Sequence, residues 1–274
     1  MTPSAYLREL ASAITRAEDL TDEEAQAVLY ELALRIYALL LARLPGTSFE
    51  RQLRWPELRQ ELLPLLLAAN DTLARALFSR LIPTEVAILT TTLDYYGFPN
   101  RVIPPRPLTE ILERTEVLTT PLARLFSRDA TGISPFARQL LRLLERSVLA
   151  ATMRDLPTAD VAAVVIGTRT RAGRTIAVPR KGTVANAWRE RTRAITAAAL
   201  WSLVTPSQER VSATAATEGI RTSSWQWVAV LDPRTCPVCR PLGGTTAPSP
   251  AEFPRGAPPL HPLCRCIVIP TLTQ

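Results

Sequence analysis

Cys236-Pro-Val-Cys239 and the later His261-Pro-Leu-Cys264-Arg-Cys266 hold every cysteine and the single histidine of this 274-residue chain. Thiolate and imidazole are the ligands that Zn²⁺ favours. A CxxC pair is a ready two-ligand turn, because two intervening residues let both sulfurs face one ion. Cys236 and Cys239 are therefore expected as ligands, and His261, Cys264 and Cys266 compete for the two remaining places. On a strand, Cys264 and Cys266 would point to one face. The four cysteines are the favoured set, with His261 as a substitute or as a neighbour that orients them. The expected metal is structural, since a catalytic zinc needs an open position beside an acid or base. Here the nearby acids are only Asp232 and Glu252.

Two disulfides are the alternative, each closing a loop of about thirty residues and stabilising by roughly 3–4 kcal/mol. A structural zinc contributes on the order of 10 kcal/mol or more to a small metal-dependent fold. Residues 240–260 are rich in proline and glycine, with almost no core expected of them, so some staple is required. No export signal is legible at the start, which favours metal over disulfides.

The elements that must position this window are two strands. Ser224 to Leu231 alternates Trp225, Trp227 and Ala229 on one face with Gln226 and Val228 on the other. Cys266-Ile-Val-Ile-Pro270 is its expected partner. Upstream, the first 155 residues read as helices punctuated by prolines. Thr21-Asp-Glu-Glu24 reads as a capping box, followed by an apolar stripe of Ala25, Val28, Leu29, Leu32, Ile36, Leu39 and Leu40. Pro45-Gly46 should stop that helix, Pro56 should start another, and Asn70-Asp71 and Pro83-Thr84 should each restart the chain. Residues 97–107 read as a long connection, and residues near 109–117 as a short helix. Ser134-Pro135 is an N-cap and first-turn pair opening a helix with Phe136, Leu140, Leu143, Leu144 and Val148 inside.

After Leu156-Pro157 the pattern changes. Residues 168–178 alternate about Ala172-Gly173 as a β-hairpin. Thr183 caps a helix to about Val204, and Thr205-Pro-Ser-Gln208 caps the next, which Gly219 ends. The expected class is α+β. A helical interaction domain (1–155) precedes a small α+β domain (156–274) whose metal-binding or disulfide-stapled loop lies between two strands.

Charge is unevenly placed. Residues 1–150 hold 17 basic and 18 acidic side chains, a net of −1, whereas residues 151–274 hold 15 and 7, a net of +8. Within 161–193, eight cations (Arg169, Arg171, Arg174, Arg180, Lys181, Arg189, Arg191 and Arg193) face one acid, Glu190. These are the candidate contacts to the phosphates of double-stranded DNA, without sequence reading. A solvated, arginine-biased surface is the alternative. No uninterrupted run of eighteen apolar residues occurs, so a membrane partner is not expected.

The residues Trp227-Val-Ala-Val-Leu-Asp232-Pro-Arg234-Thr-Cys236-Pro-Val-Cys239, with Pro259-Leu-His261-Pro-Leu-Cys264-Arg-Cys266, resemble the C-terminal domain of phage Mu F-like minor head proteins, also called phage head morphogenesis proteins. The resemblance covers roughly 183–270. It implies a virion component of low copy number, assembled in the bacterial host cytoplasm. Such a protein would meet the portal protein or the major capsid protein, and packaged DNA, in head assembly, packaging or ejection. Members of that family often carry a Thr-Glu pair on the helix before the Trp strand. This chain has Ile195-Thr196-Ala197-Ala198-Ala199 there, which weakens any enzymatic reading. A zinc-dependent nuclease or toxin-type enzyme is the alternative, and a zinc-containing regulator a third reading. The expected role is not catalytic.

Overall fold

The computed structural model describes residues 2–44, 46–117, 120–171, 174–178, 180–229, 236–261 and 263–273. Two helices open the chain, α1 (Pro3–Arg43) and α2 (Ser48–Tyr95). Short elements follow: α3 (Leu108–Arg114), the two-residue strands β1 (Glu116–Val117) and β2 (Thr120–Pro121), and α4 (Leu122–Phe126). Then come α5 (Pro135–Thr152), α6 (Thr158–Ile166), the hairpin β3 (Thr168–Arg171) and β4 (Arg174–Ala177), α7 (Val184–Trp201) and α8 (Val204–Thr217). Strands β5 (Arg221–Val228), β6 (Thr246–Ala247) and β7 (Ile267–Thr273) complete it. The α+β class is borne out, with sheet confined largely to the C-terminal part.

Both opening helices run through points where the sequence predicts breaks. Thr21 is not an N-cap: its hydroxyl donates to the Ala17 carbonyl one turn back, at 2.8 Å, inside α1. Pro56, Pro64 and Pro83 all lie within α2. Asn70 does not restart the chain either. Its amide donates to the Phe126 carbonyl (3.2 Å), and its oxygen accepts from the Ser134 hydroxyl (2.7 Å). Burial of long apolar faces outweighs each local punctuation signal. By length and composition, α1 and residues 54–95 of α2 could also cross a bilayer, against the expectation from sequence, although core helices share that property.

The chain forms two compact units, each assembled from separated stretches. One comprises residues 1–21, 77–123 and 194–274. Its core takes Tyr6, Leu10 and Ile14 from α1, Leu81, Ile88 and Leu93 from α2, and Val211 from α8. Contacts here join separated stretches: the Gln208 amide donates to the Tyr6 and Thr92 hydroxyls, and Tyr95 stacks on Tyr6 with ring centroids 4.3 Å apart. Gln208 is thus a core hydrogen-bond donor and not part of a capping box, and α8 begins one residue earlier than Thr205.

The other unit comprises residues 22–76 and 124–193. Ala25, Leu29, Leu32, Ile36 and Leu40 are buried as expected, while Leu41 is exposed. The Ser134 hydroxyl accepts from the Ala137 N–H at 3.1 Å, so the Ser-Pro start of α5 is as predicted. Residues 161–166, an apolar run in sequence, belong to helix α6. Gly167 ends it at φ 79°, and a β-carbon there would lie 2.9 Å from the Val178 carbonyl. Only glycine lets the hairpin start so close to its own exit. The register Arg171↔Arg174 fits a two-residue loop, whose Ala172-Gly173 lies outside the described residues.

Candidate metal centre

β5 pairs antiparallel with β7, Trp227 opposite Val268 and Trp225 opposite Pro270. The connection between them carries all five donors. Trp225 and Trp227 turn inward and Gln226 outward, as the alternation predicts. The connection is less coreless than its composition implies. Thr246–Ala247 adds a third strand on the other edge of β5. Phe253 is 3% exposed and meets Trp227 edge-on, centroids 5.4 Å apart at 72°. A phenylalanine buried this fully stabilises by about 2–3 kcal/mol, so the segment does not depend on a staple alone. The Thr205 hydroxyl also ties it to α8 through the Pro258 carbonyl (3.4 Å).

The cysteines are part of this core. Cys239, Cys264 and Cys266 are buried beside Trp225, Trp227, Ala247, Phe253 and Val268, and Cys236 is half-buried against them. All four are free thiols in the structure. Two three-donor groups form, Cys236–Cys239–His261 and Cys239–Cys264–Cys266, sharing Cys239. His261 Nε2 lies 2.9 Å from Cys236 Sγ and 3.1 Å from Cys239 Sγ. Cys239 Sγ is 3.8 Å from Cys264 Sγ.

These donors fit zinc. Two sulfurs each about 2.3 Å from a tetrahedral ion stand about 3.8 Å apart, the Cys239–Cys264 spacing. A sulfur and an imidazole nitrogen on the same ion stand about 3.6 Å apart, so an ion would open the His261 contacts by about half an ångström. A hydrogen bond within the pair Cys264 and Cys266 lowers the Cys264 thiol to about 5, while that bond and burial raise Cys266. Burial also raises Cys239, to about 12. Against its burial, hydrogen bonds from Cys239 and the Val238 backbone lower Cys236 as well, so two thiols of the cluster are lowered and two raised.

Asp232, Arg234 and Thr235 of the sequence motif lie outside the described residues. Glu252 is exposed and accepts from the Ser249 hydroxyl at 2.8 Å, a local turn contact. Arg265 pairs with Glu18 at 3.9 Å, and Glu18 also accepts from the Trp201 indole N–H at 2.6 Å. That pairing anchors the start of β7 to α1 and α7, and no spacing rule in the sequence announces it.

The candidate DNA contacts whose side chains are described differ in exposure and pairing. Arg180, Lys181 and Arg193 are exposed. Arg189 is half-exposed and pairs with Glu190 at 3.2 Å. Arg191 turns inward: its Nε is buried with no partner among the described residues, and desolvation lowers its pKa. Positions two apart on a helix face opposite ways, so Arg189 and Arg193 share a face that Arg191 does not. Arg169, Arg171 and Arg174 lie on the hairpin strands. Arg189 also borders a crevice of about 330 Å³ lined by Gln26, Leu29, Tyr30 and Ala185, which sequence reasoning missed because its walls come from α1 and α7.

Residues 146–269 match the family model described as Phage Mu protein F like protein. Over that stretch the chain is similar to the Mu F-like proteins, the family that its cysteine motif resembles. The match begins well upstream of 183, where the motif resemblance starts. No curated protein and no solved structure matches the chain significantly.

Proposed function

We propose that this chain, with its Mu F-like domain at 146–269, is a minor head protein of a tailed bacteriophage. It acts as a structural component of head morphogenesis and not as an enzyme. The family match carries this reading. A non-catalytic role is further supported by the chemistry of the cluster, where the described donors are thiols and one imidazole, and Glu252 is occupied in a local turn. In the virion the protein contacts the portal protein or the major capsid protein. Residues 1–155 are proposed as the helical interaction part and residues 156–274 as the family domain.

The metal in this reading is a structural Zn²⁺ held by donors from Cys236, Cys239, His261, Cys264 and Cys266. It closes the connection between β5 and β7 without entering any reaction. The exposed cations Arg180, Lys181 and Arg193, with the hairpin arginines, are proposed to contact packaged double-stranded DNA without reading its sequence.

The test is compositional. Heads purified from infected cells should contain the chain in far fewer copies than the coat protein, and chemical cross-linking should join it to portal or coat. Mature heads and proheads both lacking the chain would refute the proposal.

A further inference from the structure

We infer that Cys236, Cys239, His261 and Cys264 are the four metal ligands, His261 through Nε2, and that Cys266 is a thiol of the core. This rests on the metal reading above and goes beyond it by assigning the seats. Two segments repeat one pattern, ligand–Pro–apolar–Cys: Cys236-Pro-Val-Cys239 and His261-Pro-Leu-Cys264. Both are closed by the same backbone bond. The Cys239 N–H donates to the Cys236 carbonyl at 3.2 Å, and the Cys264 N–H donates to the His261 carbonyl at 3.0 Å.

Such a turn turns side chains i and i+3 toward one side, the geometry that two-residue ligand spacing serves. The apolar residue of each turn faces outward instead, Val238 at 44% exposure and Leu263 at 46%. Leu263 holds φ 63° to complete its turn, a left-handed conformation disfavoured for leucine. The second segment thus repeats the spacing and closing bond of the first, with imidazole in place of the leading thiolate, through a different turn, since Val238 lacks the positive φ of Leu263.

Distances agree with the pairing of the two turns. His261 Nε2 reaches both sulfurs of the first turn, and Cys239 Sγ stands 3.8 Å from Cys264 Sγ of the second. Cys266 belongs to neither turn. It lies at the mouth of β7, 3% exposed among Trp225, Trp227, Phe253 and Val268. Cys264 and Cys266 alike group with Cys239; the turn closed on His261, which Cys264 ends and Cys266 lies beyond, separates the two. Cys239 and Cys264 are as buried in the same cluster, so it is the place of Cys266 outside both turns that leaves it a thiol of the core.

X-ray absorption of the full-length zinc protein, with visible spectra of its cobalt-substituted form, decides the assignment. Three sulfurs and one nitrogen per ion are expected. Cys266→Ala should keep one metal ion per chain and the wild-type cobalt spectrum. His261→Ala and Cys264→Ser should change that spectrum or abolish stoichiometric binding. A four-sulfur shell, or loss of metal in Cys266→Ala with His261→Ala unaffected, would overturn the assignment and leave a metal centre in place. Wild-type protein that takes up neither zinc nor cobalt when fully reduced would overturn the metal reading itself, and the assignment with it.

Discussion

Replacing Glu85 with alanine should cost this protein more than any change to an exposed ion pair. The Glu85 carboxylate is fully buried on α2. It accepts from the Arg106 backbone N–H at 2.9 Å and pairs with Arg106 Nε at 2.5 Å, while Arg210 approaches at 3.4 Å. Arg106 is 7% exposed, and its Nη2 already lacks a partner among the described residues. Without the carboxylate the Arg106 guanidinium stays buried without its hydrogen-bonded partner, and only the charge of Glu209 remains nearby. Breaking a buried pair in this way costs about 3–5 kcal/mol. Unfolding entropy of about 2.1 cal/mol/K per residue gives roughly 0.6 kcal/mol/K for a chain of this length, so the melting temperature should fall by about 5–9 °C. Glu218 supplies the contrast. Its pair with Arg101 is exposed on both sides (56% and 37%), so Glu218→Ala should cost less than about 1 kcal/mol. Calorimetric melts in low salt and in 1 M NaCl should find the Glu85 effect nearly unchanged, because buried pairs are poorly screened. The double variant Glu85→Ala/Arg106→Met should recover part of the loss, since no buried charge is then left over. A melting temperature for Glu85→Ala within a degree or two of wild type would refute the claim that this carboxylate holds the 97–107 connection against α2 and α8.

Further outcomes are expected elsewhere. Ser134→Ala removes the acceptor for Ala137 N–H and the donor to Asn70, so urea unfolding should show a loss of about 1–2 kcal/mol. The Thr131 hydroxyl, then Arg138, then the Thr131 N–H hold the Asp129 carboxyl well below its ordinary 3.8. A depressed carboxyl pKa contributes stability above the ordinary value and loses it as pH falls through the folded one. The advantage of wild type over Asp129→Asn should therefore be full at pH 7 and fade in acid below about pH 4, as acid titration of both would register. Replacing Arg169, Arg171 and Arg174 together with alanine should reduce the magnitude of the log K against log salt slope for duplex DNA by about two to three, at near 0.9 per phosphate. An unchanged slope would assign the hairpin to protein or solvent.

What the sequence made legible was what chemistry or local geometry fixes alone. The clustered cysteines, the Trp225/Trp227 alternation, the pairing of β5 with β7, the hairpin and the Ser134-Pro135 start depend on few neighbours. Long-range burial hid the rest. Thr21 and Pro56 signal helix starts, yet α1 and α2 pass straight through them because faces such as Leu10–Ile14 and Leu58–Leu62–Leu66 are covered. Gln208 occupies a capping-box position and serves Tyr6 and Thr92 instead, a choice made by residues 202 and 116 positions away. Arg191 looked equal to Arg189 and Arg193 until helical geometry separated them. Phe253 and Ala247 sit in a stretch whose prolines and glycines disguise the apolar surface it buries.

The discontinuous unit built from residues 1–21, 77–123 and 194–274 sets an order on synthesis. Its first stretch leaves the ribosome with Tyr6, Leu10 and Ile14 uncovered and must wait for Gln208 and Val211, and its last strand is β7. Such distant contacts close slowly and leave apolar surface exposed while the chain is unfinished. A product cut near residue 155 would carry that uncovered face permanently, so any stickiness of the isolated helical half would report an unfinished core as much as a binding surface.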